Sequence, residues 1–372
     1  MKFKADRATL IKALAHIQSV AEKRNTIPIL ANALIRVENG QLTFTATDME
    51  IAVVEEVDAS TSRDGATTAP AATLYDIVRK LPDAAEIELE LSGEQLILRA
   101  GRYKTSLVTL PTDDFPNMTA GALPHSFKLS GQQLRGLIDR TRFAISTEET
   151  RYYLNGIYLH AAENAGVRKL RAVATDGHRL ARVEEDLPDG AGGMPGVIIP
   201  RKTVGELRKL LDEEAGEVSI SLSDTRIQFR AGGVTLTSKL IDGTFPEYER
   251  VIPSDNDKVL SVGRKDFADA VDRVAAISSE KSRPVKMTLD TDLLTLSAAS
   301  PEQGTASEEL DEGRVTYAST RLEIGFQARY LRDITDQVGE RVEFLFSDGS
   351  APTVVRDADD SSALYVLMPM RV

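Results

Sequence analysis

ATDMEIAVVEE (46–56) and ATDGHRLARVEE (174–185) are one stretch written twice, with one inserted residue in the second copy. The likeness extends outward in both directions. Phe3, Lys4, Leu10 and Leu14 recur 124 residues later as Phe127, Lys128, Leu134 and Ile138. TTAP, ending at Pro70 and followed by Leu74, Ile77 and Leu81, returns as VIIP, ending at Pro200 and followed by Val204, Leu207 and Leu211. TSLVTLPTDDFP (105–116) returns loosely as TSKLIDGTFP (237–246). A third, fainter copy follows. Leu260, Phe267, Val271 and Val274 repeat the apolar spacing of the first helix; Leu331, Ile334 and Val338 repeat that of the second; YVLMPMRV closes the chain. A period of this size is that of a domain and too long for a solenoid. Three domains are expected, at 1–122, 123–253 and 254–372, with linkers in the turn-rich NMTAGALPHS and VIPSDNDK.

Within each copy the pattern reads helix, strands, helix, strands. Leu10, Leu14, Ile17 and Ala21 have helical spacing, whereas QLTFTAT (41–47), EIELELS (86–92), VSISLS (218–223) and LLTLSAA (293–299) alternate apolar and polar side chains. Strands of that kind bury one face, so the expected class is α+β: three structurally similar domains, each with helices on one face of antiparallel sheets.

The 372 residues carry a formal net charge of −12, which by itself disfavours a polyanionic partner. The charge is unevenly spread. Helices expected at 8–24, 71–81, 131–145, 201–212, 264–277 and 328–338 hold 17 Lys and Arg against 10 Asp and Glu, leaving the rest strongly acidic. Glu favours helices about as much as Lys does, so its scarcity there points to a basic surface. Such a surface would attract phosphates while the acidic remainder repels stray nucleic acid.

The chain has no Cys, which excludes disulfides and thiolate metal sites. MKFKADRATL is not followed by an apolar signal core, and no run approaches the roughly 18 apolar residues of a membrane span. A soluble, cytoplasmic protein with no membrane partner is expected. DGHR (176–179) brings an acid, an imidazole and a guanidinium together in the manner of a hydrolase, but the four His are scattered, and neither GxxxxGK[ST] nor GxSxG occurs. No catalytic residue, cofactor or metal is assigned. A scaffold protein with a peptide groove and no DNA partner is a further alternative, against which the basic helices speak.

RYYLNG (151–156), ATDGHRLA (174–181), SKLIDGTFPEY (238–248) and the terminal MPMR (368–371) resemble the signatures of the bacterial replicative sliding clamps, the beta subunits of DNA polymerase III. The resemblance runs the full length, through TIPILAN (26–32) and GATTAP (65–70). It implies the DNA-clamp fold and a head-to-tail dimer: a six-domain ring with helices lining the hole. It implies a non-catalytic processivity factor that encircles double-stranded DNA at replication sites on the nucleoid. Clients would be the replicative DNA polymerase alpha subunit, clamp-loader subunits, and repair and translesion polymerases, each bearing a short linear motif with Gln and Leu/Phe anchors.

Carried over motif by motif, the resemblance places a peptide pocket at Leu154, Thr175, Gly177, His178, Arg179, Leu180, Pro246, Arg250, Val251, Tyr330, Pro352, Val366, Leu367, Met368, Pro369, Met370 and Arg371. Leu, Val and Met suit an adaptable apolar cleft, with Arg and His at its rim to bond peptide carbonyls or a carboxylate. DNA contacts fall to Arg24, Arg151, Tyr152, Tyr153, Arg201, Lys202 and Arg283, directed at phosphate and sugar; Tyr152 and Tyr153 equally suit a core or interface role. At the dimer interface Ile77 and Leu81 would meet Ile277, and Arg102 and Lys104 would face Glu302, Glu308 and Glu309. Two positions depart from the family pattern: Val372 ends the chain where Leu is common, and Ser282 stands where some relatives carry an aromatic residue.

Overall fold

Each of the three copies opens on a strand, not on a helix. Phe3, Phe127 and Leu260 lie on the strands Lys2–Asp6, His125–Ser130 and Lys258–Gly263, and the helix begins at the next residue. The seven-residue step from Phe3 to Leu10, from Phe127 to Leu134 and from Leu260 to Phe267 is therefore a strand-to-helix corner, with all six side chains buried. The corner is capped locally. Asp6 Oδ1 accepts the Thr9 N–H at 2.9 Å, and these bonds to Thr9 hold its carboxyl below the ordinary value. Ser130 and Gln133 form a reciprocal capping box, each side chain bonded to the other's backbone N–H at 3.1 Å.

The structure, a computed structural model, describes residues 1–21, 26–164, 166–213, 216–278, 284–311 and 313–371. The first module runs β1 (Lys2–Asp6), α1 (Arg7–Val20), β2 (Asn32–Glu38), β3 (Gln41–Thr47), β4 (Ile51–Val57), β5 (Ser60–Arg63), β6 (Gly65–Pro70), α2 (Ala71–Arg79), β7 (Glu86–Ser92), β8 (Gln95–Ala100) and β9 (Tyr103–Val108). The second runs β10 (His125–Ser130), α3 (Gly131–Asp139), β11 (Gly156–Asn164), β12 (Val167–Thr175), β13 (Arg179–Asp186), β14 (Val197–Pro200), α4 (Arg201–Glu213), β15 (Glu217–Leu222), β16 (Arg226–Ala231) and β17 (Val234–Lys239). The third runs β18 (Lys258–Gly263), α5 (Arg264–Ala275), β19 (Pro284–Asp290), β20 (Leu293–Ser300), β21 (Gly304–Leu310), β22 (Val315–Tyr317), β23 (Leu322–Gln327), α6 (Ala328–Thr335), β24 (Arg341–Phe346), β25 (Thr353–Asp357) and β26 (Ala363–Leu367).

The chain packs as two compact units that cut across this division: residues 1–135 with 188–241, and 136–187 with 242–372. The cause is strand pairing between modules. In the first unit one sheet is ordered β5-β1-β7-β8-β9; another runs β10-β15-β16-β17-β4-β3-β2-β6. The last strand of the second module, β17, thus pairs antiparallel with the third inter-helix strand of the first, β4. In the second unit β11-β12-β13 continue into β26-β25-β24-β18-β22, and a separate sheet is ordered β21-β20-β19-β23. Here β26, last in its module, pairs with β13, the matching strand of the module before. Two strands of these classes have one side open: β9 edges its sheet in the first unit and β21 edges its sheet in the second.

The hairpins behind the repeated ATD stretches are built alike and contain no insertion. Thr47 Oγ1 donates to the Ile51 carbonyl at 2.8 Å, and Asp48 Oδ1 accepts the N–H groups of Glu50 and Ile51. Thr175 Oγ1 donates to the Arg179 carbonyl at 2.7 Å, and Asp176 Oδ1 accepts the N–H groups of His178 and Arg179. The fixed turn matches Ile51 to Arg179 and Ala52 to Leu180, one place off the match of letters. On this register Glu55 stands at the buried position of Val183, and its carboxylate is met by His16 Nδ1 from α1 at 2.8 Å.

The helices are shorter than the spacing predicts, and this thins their basic surplus. Lys80, Arg140 and Arg142 fall in turns after α2 and α3. Among the described residues the six helices carry 13 Lys and Arg against 9 Asp and Glu, and Lys23 and Arg24 lie outside those residues. Several of these cations are engaged: Lys265 with Asp269, Arg273 with Glu308 and Arg332 with Asp272.

Candidate functional site

A cleft of about 300 Å³ opens in the second unit where four pieces of chain converge. The 3₁₀ turn Glu149–Leu154 contributes Arg151, Tyr153 and Leu154; the β12–β13 hairpin contributes Thr175, Gly177, Arg179 and Leu180. Pro246, Glu247, Tyr248 and Val251 come from the 3₁₀ segment after β17, and Val366 and Met368 from the end of β26. The pairing of β26 with β13 puts Val366 opposite Leu180. The tail is then pinned twice: the Met368 N–H donates to the His178 carbonyl and the Met370 N–H to the Gly325 carbonyl, each at 2.9 Å. Met368 and Val251 remain 42% and 51% exposed, which leaves apolar surface at the mouth for a ligand to cover.

Glycine at 177 suits both the turn and the approach of Arg151, although Met49 takes the same left-handed place in the first hairpin at φ +75°. The Gly177 φ of +89° lies in the left-handed region, and a Cβ there would stand 2.5 Å from Arg151 Nη1. Arg151 is steered onto the turn by Glu148, whose Oε2 accepts its Nε–H at 2.7 Å. Of the cations assigned to the rim, Arg179 is committed elsewhere. Its side chain is 4% exposed; Nε donates to Asp176, Nη1 to Asp333 and Nη2 to the Phe143 carbonyl, and its plane lies between the rings of Phe143 and Tyr330. The cation left facing the cleft is Arg151, placed with the DNA contacts by the sequence.

Nine of the expected pocket residues line the cleft: Leu154, Thr175, Gly177, Arg179, Leu180, Pro246, Val251, Val366 and Met368. The others lie around it. His178 stacks on Tyr330 with ring centroids 6.3 Å apart, and Leu367 is buried beside β13, paired with Arg179. Arg250 points outward against Glu247, and the Pro352 carbonyl accepts from Asn256 at 3.0 Å. Pro369, Met370 and Arg371 line a second depression with Lys286 and Glu323. Tyr153, Glu247 and Tyr248 are cleft residues that the motif reading did not assign to it. Asp176 spends its carboxylate on the turn and on Arg179, so DGHR is a structural hairpin and not an acid–base pair.

The DNA candidates separate. Tyr152 is 53% exposed and meets Tyr153 edge to face, whereas Tyr153 turns into the cleft. Arg201 and Lys202 open α4, and Lys202 pairs with Asp48 of the first ATD hairpin. Arg24, Ser282, Arg283 and Val372 lie outside the described residues. Of the interface candidates, Leu81 is buried at 9% exposure in its own core, which leaves it little surface for a partner. Ile77 and Ile277 are half-buried; Arg102, Lys104, Glu302 and Glu309 are exposed; Glu308 is bonded to Arg273.

Three family models cover the chain in order: the N-terminal domain of the DNA polymerase III beta subunit matches residues 1–119, its central domain 128–247 and its C-terminal domain 249–371. The chain belongs to the DNA polymerase III beta subunit family. Similar to it are the beta sliding clamp of Caulobacter vibrioides, 50% identical over 375 residues, and that of Escherichia coli, 39% identical over 378, each with 100% of both chains covered. A DnaN sliding clamp from Bartonella birtlesii, solved bound to griselimycin, superimposes with a TM-score of 0.96 at 49% identity over 100% of both chains. Beta sliding clamps are non-catalytic processivity factors, and the chain shares their three-domain clamp fold. Among the described residues no helix is long and apolar enough to cross a membrane.

Proposed function

We propose that two copies of the chain close head to tail into a six-module ring around double-stranded DNA, in the cytoplasm at replication sites on the nucleoid. The observation that carries this is the pairing rule within the chain. The last strand of a module pairs with the third inter-helix strand of the preceding one, as β17 does with β4 and β26 with β13. By the same rule β9 of one copy takes β21 of another. Open edges of this kind are liabilities unless covered, and a heterologous contact that closes leaves none.

Side chains at the two edges are complementary. Arg102 precedes β9 and Lys104 lies on it, where Tyr103 and Val108 are 44% and 69% exposed; Glu302 precedes β21 and Glu309 lies on it. The ion pairs would set register and partner choice, with the apolar contacts supplying most of the stability. Module boundaries at 1–122, 123–253 and 254–372 fit this assembly. The modest helix surplus suits sliding, because phosphate contacts through Arg201, Lys202 and the exposed Tyr152 hold the duplex without base readout or deep electrostatic wells. The cleft would receive the short linear motifs of polymerase, clamp-loader and repair clients.

Replacing Arg102 and Lys104 together by Glu is the test of the seam. Light scattering should give the wild type a mass near twice 40.6 kDa and the variant a shift toward a single chain. An undisturbed dimer would place the seam elsewhere.

A further inference from the structure

One wall of the cleft is held by a polar row that crosses the sheet beneath it. His160 on β11 stands opposite Arg171 on β12, and Arg171 stands opposite Glu184 on β13. Above them Tyr248, 5% exposed, turns its ring into the cleft and its hydroxyl down onto the row. Its Oη lies 3.0 Å from His160 Nε2 and 3.2 Å from Arg171 Nη1. Arg171, 6% exposed, is neutralised by Glu184 and Glu249. The rings continue as a column: Tyr158 stacks on His160 at 4.6 Å and on Phe245 at 4.8 Å, with interplanar angles of 22° and 7°.

The donors and acceptors fix the direction of the chain of bonds. His160 Nδ1 lies 3.1 Å from the Ala161 carbonyl, which can only accept, so the imidazole hydrogen sits on Nδ1. Nε2 is then a bare acceptor. Arg171 donates to Tyr248 Oη, and Tyr248 donates to His160 Nε2. Only the neutral imidazole satisfies every member.

We propose that His160 and Arg171 are positioning residues for the bound client peptide, acting through Tyr248 to hold the segment 245–251 as a fixed cleft wall. The proposal rests on the cleft being the peptide site. Protonated His160 would turn a second donor toward an oxygen that already accepts from Arg171, and would set an imidazolium beside a guanidinium. The Tyr248 hydrogen would lose its acceptor, and the wall its anchor. The charged and titratable groups around His160 are Tyr158 on its own strand, Arg171 on β12, Glu184 on β13, and Tyr248 and Glu249 on the 3₁₀ turn; Arg182 lies near Tyr248. Burial outweighs the two carboxylates and lowers the His160 pKa below its ordinary 6.5. The neutral form therefore prevails at neutral pH, and the wall loosens only as pH falls below about 6.5.

The test is a fluorescence-anisotropy titration of a labelled QLxLF peptide against the full-length dimer, from about pH 8 down to about pH 5.5. Wild-type affinity should stay level above about pH 6.5 and weaken at more acid pH as His160 takes up its second proton, whereas Tyr248→Phe should already bind on the order of tenfold more weakly at about pH 8, the effect of one lost hydrogen bond at the site. Tyr248→Phe should bind more weakly throughout and show no acid step; His160→Gln should also lack the step. His178, near the mouth, is present in both variants, so a step that persists in them belongs elsewhere and overturns the proposal, as does a Tyr248→Phe variant that binds as tightly as the wild type at about pH 8. A wild type that fails to bind the peptide at about pH 8 overturns the cleft reading itself, a result distinct from either.

Discussion

Deleting Met368–Val372 is expected to abolish binding of a QLxLF-type peptide while the dimer persists. Met368 stands at the cleft mouth with 42% of its surface exposed, and covering that remainder contributes roughly 1 kcal/mol, about fivefold in affinity. The deletion also removes the Met368–His178 and Met370–Gly325 backbone bonds, so Val366 loses the strand end that keeps it against Leu180. Met370 bridges β23, which lies at the opposite edge of its sheet from β21. The seam proposed for the dimer is therefore untouched. Anisotropy and light scattering on the same sample check both halves; unchanged peptide affinity would mean that the cleft is not the client site.

Arg179→Ala is expected to destabilise the second unit by about 3–5 kcal/mol, the usual cost of breaking a buried ion pair from one side. The guanidinium ties β13 to α6 through Asp333 and to the turn after α3 through the Phe143 carbonyl, and it fills the space between two rings. Its loss leaves Asp333 partly buried with only the longer contact to Arg329 at 3.5 Å. Arg179→Lys should rescue little, because one ammonium cannot donate in three fixed directions or stack as a plane. Urea unfolding followed by circular dichroism measures the loss. A change below about 1 kcal/mol would show that the network contributes only geometry.

The module count, the α+β class and the principal strands were legible because apolar periodicity and the ATD turn recur. The strand at the head of each module was not. Phe3 and Leu10 are seven residues apart, a spacing that a straight helix and a strand-to-helix corner share. The register of the second hairpin was misread by one place because LARVEE matches IAVVEE by letter, whereas Thr-Asp turn geometry matches by bond. Arg151 and Tyr153 were assigned to DNA on residue type, and only the turn Glu149–Leu154 reveals which way each points. The row His160, Arg171, Glu184 and Tyr248 had no signal at all. Its members are far apart in the chain, and Arg171 between Leu170 and Ala172 reads as an ordinary outward polar place in an alternating strand, whereas every residue of Leu170–Ala174 is buried. A polar residue can stand there because its partners arrive from other strands.

Closure around DNA is tested most directly by topology. Clamps loaded onto nicked circular duplex should stay bound through gel filtration and be released when the circle is cut once with a restriction enzyme. Retention on the linear product with its ends free would contradict encirclement, whatever the affinity measured.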